Sequence, residues 1–231
     1  MKKLLIIPIL LLGIILFTGC DKETEALKFK NDYESINGQE NASGKIHRVV
    51  TIDPENPFIE VSASDIVNKL KNKETFYVYF GSRLCPWCRS VIEKAIEEAR
   101  KNNIKEIYYV DIWDDEGKEI LRDKYTLDDN NELVLSIEAG EGYQELLEYF
   151  AELLSEYTLK DKDGKSVSTG EKRIYAPNFF YIEEGKALKM TEGISSLQKD
   201  SREELSEEML KEEEELFKEF FDTGVCVEQG C

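Results

Sequence analysis

The residues best suited to chemistry in this chain are two cysteines three positions apart, in the tetrapeptide Cys85-Pro86-Trp87-Cys88. A thiolate attacks disulfides, and a second thiol at this spacing can reach the mixed disulfide that the first one forms. The spacing therefore predicts thiol–disulfide exchange, in which Cys85 is the catalytic nucleophile and Cys88 resolves the intermediate. Pro86 and Trp87 form the turn between the thiols, where we expect them to tune the reduction potential and Trp87 to be partly exposed.

The flanking sequence places this tetrapeptide between a strand and a helix. The run Thr75–Phe80 is aromatic and β-branched, which is typical of a buried strand, and Gly81-Ser82 ends it. Apolar residues then recur at three- and four-residue steps over 91–99, as in an amphipathic helix. We therefore expect Cys85 at a helix N-terminus, where unpaired backbone N–H groups and the helix dipole favour a thiolate. The nearby Arg83 and Arg89 either add positive field or lie exposed beside the turn.

Other interpretations of the cysteines stay open. Cys85 and Cys88 also suit a structural disulfide in an oxidising compartment. A zinc site needs two further thiolates, which Cys226 and Cys231 would supply, but that pair has four intervening residues and the first pair lacks the context of a zinc ribbon. We expect no metal and no cofactor. The four cysteines can pair in three ways, and local pairing, which joins Cys226 to Cys231, is the easiest to close. That pairing predicts either a disulfide that holds the C-terminal tail or a second redox pair.

Residues 1–20 predict the compartment. The positive start Lys2-Lys3 precedes an apolar stretch over 4–17 and a small-residue end, Thr18-Gly19-Cys20. This segment resembles a bacterial lipoprotein signal peptide. The resemblance implies removal of residues 1–19, a lipid on Cys20 and an extracytoplasmic domain held to the cell membrane by that lipid. A plain membrane anchor or an ordinary secretory signal is the alternative, and it also places the domain outside the cytoplasm.

The composition argues against several classes of function. The chain has 48 acidic and 30 basic side chains and a formal net charge of −18. Such a surface repels phosphate backbones and anionic lipid head groups, so nucleic acid is not an expected partner. The covalent lipid, rather than the protein surface, is then expected to attach the protein to the membrane. The single histidine, His47, lies in a polar stretch where we expect it exposed. Its isolation argues against Ser-His-Asp and Cys-His proteases and against a histidine-rich zinc site.

The periodicity predicts an α/β domain that follows a tether. Residues 20–45 are polar and lack apolar periodicity, so we expect a flexible tether there and a domain over 46–231. The run 104–112 predicts a second buried strand, which completes a strand–helix–strand unit with the cysteines at the carboxyl end of its first strand. An insertion over about 113–173 is expected to be mainly helical.

Further elements follow from shorter patterns. We expect strands over 48–52, 58–61 and 132–137, a β-hairpin over 178–190, helices over 64–73, 116–125, 143–157 and 202–221, and a polar loop over 160–170.

The residues around the dithiol resemble the thioredoxin superfamily, and within it the bacteriocin-transport accessory type of thioredoxin-like protein. The resemblance rests on residues 79–89 and on Tyr175-Ala176-Pro177-Asn178-Phe179-Phe180. It implies a thioredoxin-like fold, with a mixed central sheet flanked by helices and the insertion placed before a strand that a cis-proline opens. Pro177 matches that proline, and Ala176 and Pro177 are implied as the substrate-binding segment facing the dithiol.

The resemblance and the signal segment together predict a lipid-anchored thiol–disulfide oxidoreductase that acts on secreted or surface proteins and exchanges electrons with a redox partner protein. Members of the superfamily carry a buried acid six residues before the first active-site cysteine, which serves proton transfer to the second. Tyr79 stands there in this chain, which argues against efficient reductase chemistry.

The alternative function is a non-catalytic binding protein that docks on an exporter or envelope complex. The insertion either selects a partner or thickens the core.

Overall fold

The computed structural model describes residues 23–222. Cys20, Cys226 and Cys231 lie outside the described residues, and with them the predicted lipidation site and second cysteine pair. Within 23–222, no helix combines the length and the apolar character that crossing a membrane requires.

The described chain is an α/β structure in which helices flank a mixed sheet. The helices are α1 (Glu25–Glu34), α2 (Ala63–Lys71), α3 (Pro86–Lys101), α4 (Tyr143–Phe150) and α5 (Glu207–Phe221). The central sheet contains β1 (Phe58–Glu60), β2 (Phe76–Gly81), β3 (Ile107–Asp111), β8 (Asn178–Glu183) and β9 (Lys186–Thr191). Two separate hairpins pair β4 (Lys124–Leu127) with β5 (Leu133–Ile137), and β6 (Glu156–Lys160) with β7 (Ser166–Lys172).

The sheet runs in the order β1-β3-β2-β8-β9. Strands β1, β3 and β2 are parallel, whereas β8 pairs antiparallel with β2 and β9 antiparallel with β8. Strand β2 is buried along its whole length, because successive side chains point to opposite faces and both faces are covered. Tyr77 and Tyr79 enter the core formed with α1, α3 and α5. Phe76, Val78 and Phe80 enter the core formed with α2 and α4.

The predicted strand–helix–strand unit is confirmed. Helix α3 connects the parallel neighbours β2 and β3, with Val78 in register with Tyr108. The hairpin of β8 and β9 and the strand β5 are also confirmed, and the last helix begins later than expected, at Glu207 after the cap Ser206. The segment 48–52 forms no strand, although Val50 and Ile52 are buried.

The prediction of a flexible tether is wrong for the part of it that the structure describes. Residues Glu25–Glu34 form α1, which Thr24 caps by accepting a hydrogen bond from the Leu27 backbone N–H. Phe29 stacks on Phe58 of β1 with ring centroids 4.4 Å apart, and Tyr33 is fully buried. Two aromatic residues four positions apart are enough to anchor one face of a short helix, but they are too few to give a periodic pattern.

The insertion is mostly hairpin and turn rather than helix. The predicted helix over 116–125 is absent, α4 ends at Phe150, and the expected loop over 160–170 belongs to the hairpin of β6 and β7. Three aspartates make the same turn: the Oδ1 atoms of Asp114, Asp128 and Asp161 each accept hydrogen bonds from backbone N–H groups two and four residues later. The repeated pattern of Asp followed three residues later by Gly or Asn is a turn signal that does not depend on apolar periodicity.

Glu213 of α5 makes the stability of the fold depend on pH. Its side chain is fully buried, and neither carboxylate oxygen has a hydrogen-bond partner among residues 23–222. Burial raises the pKa of Glu213 from 4.5 to about 8, although Arg48 and Lys94 oppose the shift. The folded state therefore holds a proton that the unfolded state releases above pH 4.5, and the free energy of unfolding falls as pH rises from 4.5 to 8.

We expect Glu213→Gln to remove this loss of stability, which is at most about 1.4 kcal/mol per pH unit for one proton. Urea unfolding at pH 5 and pH 8 measures it: the variant should gain stability relative to the parent protein at pH 8 but not at pH 5. Glu219→Gln, an exposed position on the same helix, serves as the control. An equal pH dependence in the Glu213→Gln and parent proteins would contradict the prediction.

Candidate active site

Cys85 lies at the N-terminus of α3, as the sequence predicts. It is the N-cap residue, with φ −77° and ψ 119°, and Pro86 takes the first helical position. Proline suits that position because its fixed φ is helical and its missing N–H has no helical partner there. Ser82 shapes the turn before the helix: its carbonyl accepts from the Cys85 N–H at 3.1 Å and its hydroxyl from the Leu84 N–H at 3.3 Å.

The surroundings of Cys85 favour its thiolate. A hydrogen bond from the Cys88 side chain is the largest cause that lowers the pKa of the Cys85 thiol. The backbone N–H groups of Cys88 and Trp87 and the charge of Arg122 act in the same direction, whereas burial opposes them. The residue is 4% exposed, and Trp87 beside it is partly exposed. Cys85 therefore combines a stabilised anion with limited access from solvent.

Cys88 has the opposite environment. Its side chain is fully buried, and both thiols are free in the structure. Burial, together with the hydrogen bond and negative charge of Cys85, raises the pKa of the Cys88 thiol well above its usual value. A hydrogen bond with Tyr79 and one with the backbone of Ser82 oppose that rise. One thiol of the pair is thus disposed to ionise and the other to keep its proton.

The Ala176-Pro177 segment lies against the dithiol, as the resemblance implies. The peptide bond between these residues is cis. Cys85 Sγ lies 3.6 Å from the Ala176 carbonyl oxygen, to which the thiol donates. Asn178 supports the loop, because its Oδ1 accepts from the Tyr175 N–H at 2.7 Å and its Nδ2 donates to the Pro177 carbonyl at 2.9 Å.

Arg89, one residue after Cys88, is fully buried. The guanidinium donates twice to the Arg48 carbonyl, at 2.9 and 2.6 Å, and also to the carbonyls of Tyr33 and Arg83 and to Asn37 Oδ1. Each of these acceptors is a neutral oxygen, and three of the four residues lie in the segment 33–48. Arg89 therefore links the N-terminal segment to the active-site helix through hydrogen bonds. The sequence did not predict this role.

The expectation of an exposed His47 is also wrong. The residue is 7% exposed in the segment that Arg89 holds. Burial lowers the pKa of His47, and the positive charges of Arg89, Arg202 and Arg83 add to that effect. The imidazole of His47 is therefore neutral at pH 7.

The insertion places a buried charge cluster near the site. Arg122 forms a salt bridge with Glu119 at 2.6 Å, and Arg173 lies 3.4 Å from the same carboxylate. Arg122 also donates to the Ile174 carbonyl at 3.2 Å, two residues before Ala176. Two guanidinium groups and one carboxylate leave a net positive charge beside the cis-proline loop. The contacts of Arg173 with Glu119 and of Arg122 with Ile174 join residues more than 50 positions apart, so the local pattern carries no signal for them.

Tyr79 occupies the place where the resemblance implies a buried acid. Its hydroxyl lies 2.9 Å from the Tyr33 hydroxyl, and Tyr79 is one of the groups that lower the pKa of the Cys88 thiol. Tyr109 packs against both tyrosines and donates to Asp111 Oδ2 at 2.7 Å. A polar cluster, made of Tyr33, Tyr79, Tyr109 and Asp111, therefore lies on the inner side of Cys88.

Among residues 23–222, no group of three or more His, Cys, Asp and Glu side chains is arranged to hold a metal ion. No protein-family model matches the chain, and a search of curated proteins finds no match. The functional interpretation therefore depends on the chemistry of the site.

Proposed function

We propose that this protein is a thiol–disulfide oxidoreductase with a thioredoxin-like fold, in which Cys85 attacks and Cys88 resolves. The observation that carries the proposal is the pair of free thiols at the start of α3, one at the N-cap and the other buried behind it. The contact between Cys85 Sγ and the Ala176 carbonyl adds support, because a substrate strand that lies along residues 175–177 would bring its disulfide to this sulfur.

The chemistry proceeds in two exchanges. The Cys85 thiolate attacks one sulfur of the substrate disulfide, the S–S bond breaks, and the other sulfur leaves with the electron pair and takes up a proton. Cys88 loses its proton and attacks Cys85 Sγ, which releases the second substrate thiolate and leaves a Cys85–Cys88 disulfide. Two electrons pass from the protein to the substrate, and a dithiol partner restores the reduced protein. Run in reverse, the same steps oxidise a substrate.

The mixed sheet, the position of the dithiol after its central strand and the cis-proline segment support the thioredoxin-like assignment. The extracytoplasmic location and the lipid anchor are part of the proposal and rest on the signal-like residues 1–20. Secreted or surface proteins with disulfides are then the expected substrates.

A redox titration tests the proposal. Purified residues 21–231 are equilibrated in graded dithiothreitol buffers, and differential alkylation with mass spectrometry reports the state of each cysteine. We expect Cys85 and Cys88 to form a reversible couple between roughly −120 and −270 mV, because Cys85 is stabilised as a thiolate. Repeating the titration with a zinc chelator provides the control, and the chelator should change nothing.

A non-catalytic binding protein is the second candidate, and one observation favours it. Leu133, Val134 and Leu135 of β5 are each at least 38% exposed on a hairpin outside the central sheet. Consecutive exposed apolar residues on an open strand suit docking of another protein. The titration separates the two functions, because a pair that stays oxidised well below about −300 mV is a structural bridge and would favour the binding protein.

A further inference from the structure

The insertion contacts the backbone two residues before Ala176. Ile174 is fully buried, and side chains of the insertion bond to both of its backbone polar groups. Its carbonyl accepts from Arg122 Nη1 at 3.2 Å, and its N–H donates to the Tyr143 hydroxyl at 3.3 Å. Because a buried backbone group without a partner is costly, these two bonds favour one position for Ile174.

Arg122 is itself held in a fixed direction. Its guanidinium donates to both carboxylate oxygens of Glu119, at 2.9 and 2.6 Å, and the two residues are only 6% and 7% exposed. The same carboxylate accepts from Trp113 Nε1 at 3.2 Å and lies 3.4 Å from Arg173 Nη2. A two-point contact fixes the plane of a guanidinium, so Nη1 stays directed at the Ile174 carbonyl.

Two further contacts join the insertion to the same stretch of chain. The Arg173 N–H donates to the Ser155 carbonyl at 3.2 Å. The Tyr175 hydroxyl donates to the Glu156 carbonyl, also at 3.2 Å. Three consecutive residues, 173–175, are therefore bonded to residues 122–156 of the insertion, which restricts the path of the chain as it approaches the dithiol.

The backbone groups that remain free lie beside Cys85. Within residues 23–222, no hydrogen bond engages the Tyr175 carbonyl or the Ala176 N–H, and the Ala176 carbonyl accepts only from the Cys85 thiol. Tyr175 and Ala176 are both partly exposed. An extended peptide can pair with such groups, and it binds more tightly when they are already held in position.

We propose that Arg122 and Tyr143 are positioning residues, which fix Ile174 and so align the free backbone groups of residues 175–176 with an extended substrate strand. The proposal rests on the proposed function and gives the insertion a task beyond filling the core. It also specifies the substrate class, which is a disulfide in an extended segment of a protein chain. A small disulfide without a peptide backbone gains nothing from this alignment.

Two matched substrates test the proposal. One is an extended peptide whose single cysteine forms a mixed disulfide with thionitrobenzoate, and the other is N-acetylcysteine amide that carries the same group. Cys85 attacks the cysteine sulfur, the S–S bond breaks, and the coloured thionitrobenzoate leaves with the electron pair. The substrates share the reacting bond and differ in the peptide backbone around it. Absorbance at pH 7 gives a second-order rate constant for each, and the ratio of the peptide constant to the amide constant is compared between proteins.

Arg122→Met and Tyr143→Phe each remove one bond to Ile174. We expect the ratio to fall about fivefold or more in Arg122→Met and about threefold or more in Tyr143→Phe, because a charged donor forms the stronger bond. Arg122 also lowers the pKa of Cys85, but that effect changes both rate constants alike and cancels in the ratio. Tyr143→Phe removes neither charge nor ring, so it keeps the test decisive even when Arg122→Met fails to fold.

Lys124→Met and Tyr149→Phe are the matched controls. Lys124 is an exposed cation of the insertion, and Tyr149 is exposed on α4, the helix that carries Tyr143. Both should keep the parent ratio within about twofold, as expected for surface substitutions. Urea unfolding confirms that each variant is folded, and lower stability by itself leaves the ratio unchanged.

The outcomes separate the proposal from the proposed function. A parent ratio in folded Arg122→Met or in Tyr143→Phe overturns the role of that residue. Equal rate constants for the two substrates in the parent protein overturn strand alignment while leaving the oxidoreductase intact. A parent protein that releases thionitrobenzoate from neither substrate contradicts the proposed function.

Discussion

Replacing Cys85 by Ser is expected to abolish disulfide exchange, with turnover falling at least a thousandfold to background. A hydroxyl does not ionise near neutral pH and forms no stable bond to sulfur, so the hydrogen bonds that favour the Cys85 thiolate have no anion to act on. Reduction of a protein disulfide such as that of insulin, with dithiothreitol as electron donor, measures the loss.

Cys88→Ser is the matched variant. It keeps the attacking thiol but removes the resolving one, so we expect stoichiometric mixed disulfides between Cys85 and substrate proteins, visible on non-reducing gels. Because Cys85 is only 4% exposed, we expect external thiols to resolve the mixed disulfide slowly. An active Cys85→Ser protein, or Cys88→Ser that traps no substrate, would contradict the assigned roles.

Replacing Arg89 by Met is expected to lower the free energy of unfolding by about 3 kcal/mol, because it leaves several buried acceptors unsatisfied at about 1 to 3 kcal/mol each and also removes a buried charge that is costly to desolvate. Methionine keeps much of the aliphatic volume but leaves the carbonyls of Tyr33 and Arg48 and the side chain of Asn37 without their donor. Urea denaturation measures the loss. Hydrogen exchange should also show α1 losing protection first, because Arg89 joins it to α3.

Arg100→Met provides the control on the same helix. Arg100 is exposed and pairs with Asp53 at the surface, so its loss should cost less than about 1 kcal/mol. Equal costs at the two positions would show that Arg89 does not hold the N-terminal segment.

The local sequence was sufficient to predict the elements that position the dithiol. The unbroken apolar run 75–80 predicts β2, the three- and four-residue spacing after Cys88 predicts α3, and together they set Cys85 at a helix start. These predictions succeeded because hydrophobic periodicity and helix-start geometry act within a few residues. Pro177 was found through the family resemblance, since nothing in its own neighbourhood marks a proline that faces a cysteine 92 positions earlier.

The N-terminal segment and the polar cluster were decided by tertiary contacts. Helix α1 is held by the buried guanidinium of Arg89, more than 50 residues away, and a polar sequence with two aromatic anchors resembles a linker until that contact is known. Tyr79 departs from the family pattern at one position, and the sequence alone indicates only a missing acid. The fold brings Tyr33 from α1 and Asp111 from the end of β3 to the same side of Cys88. A buried polar group takes its function from the partners that desolvate it and bond to it, and these partners are set by the packing of distant elements.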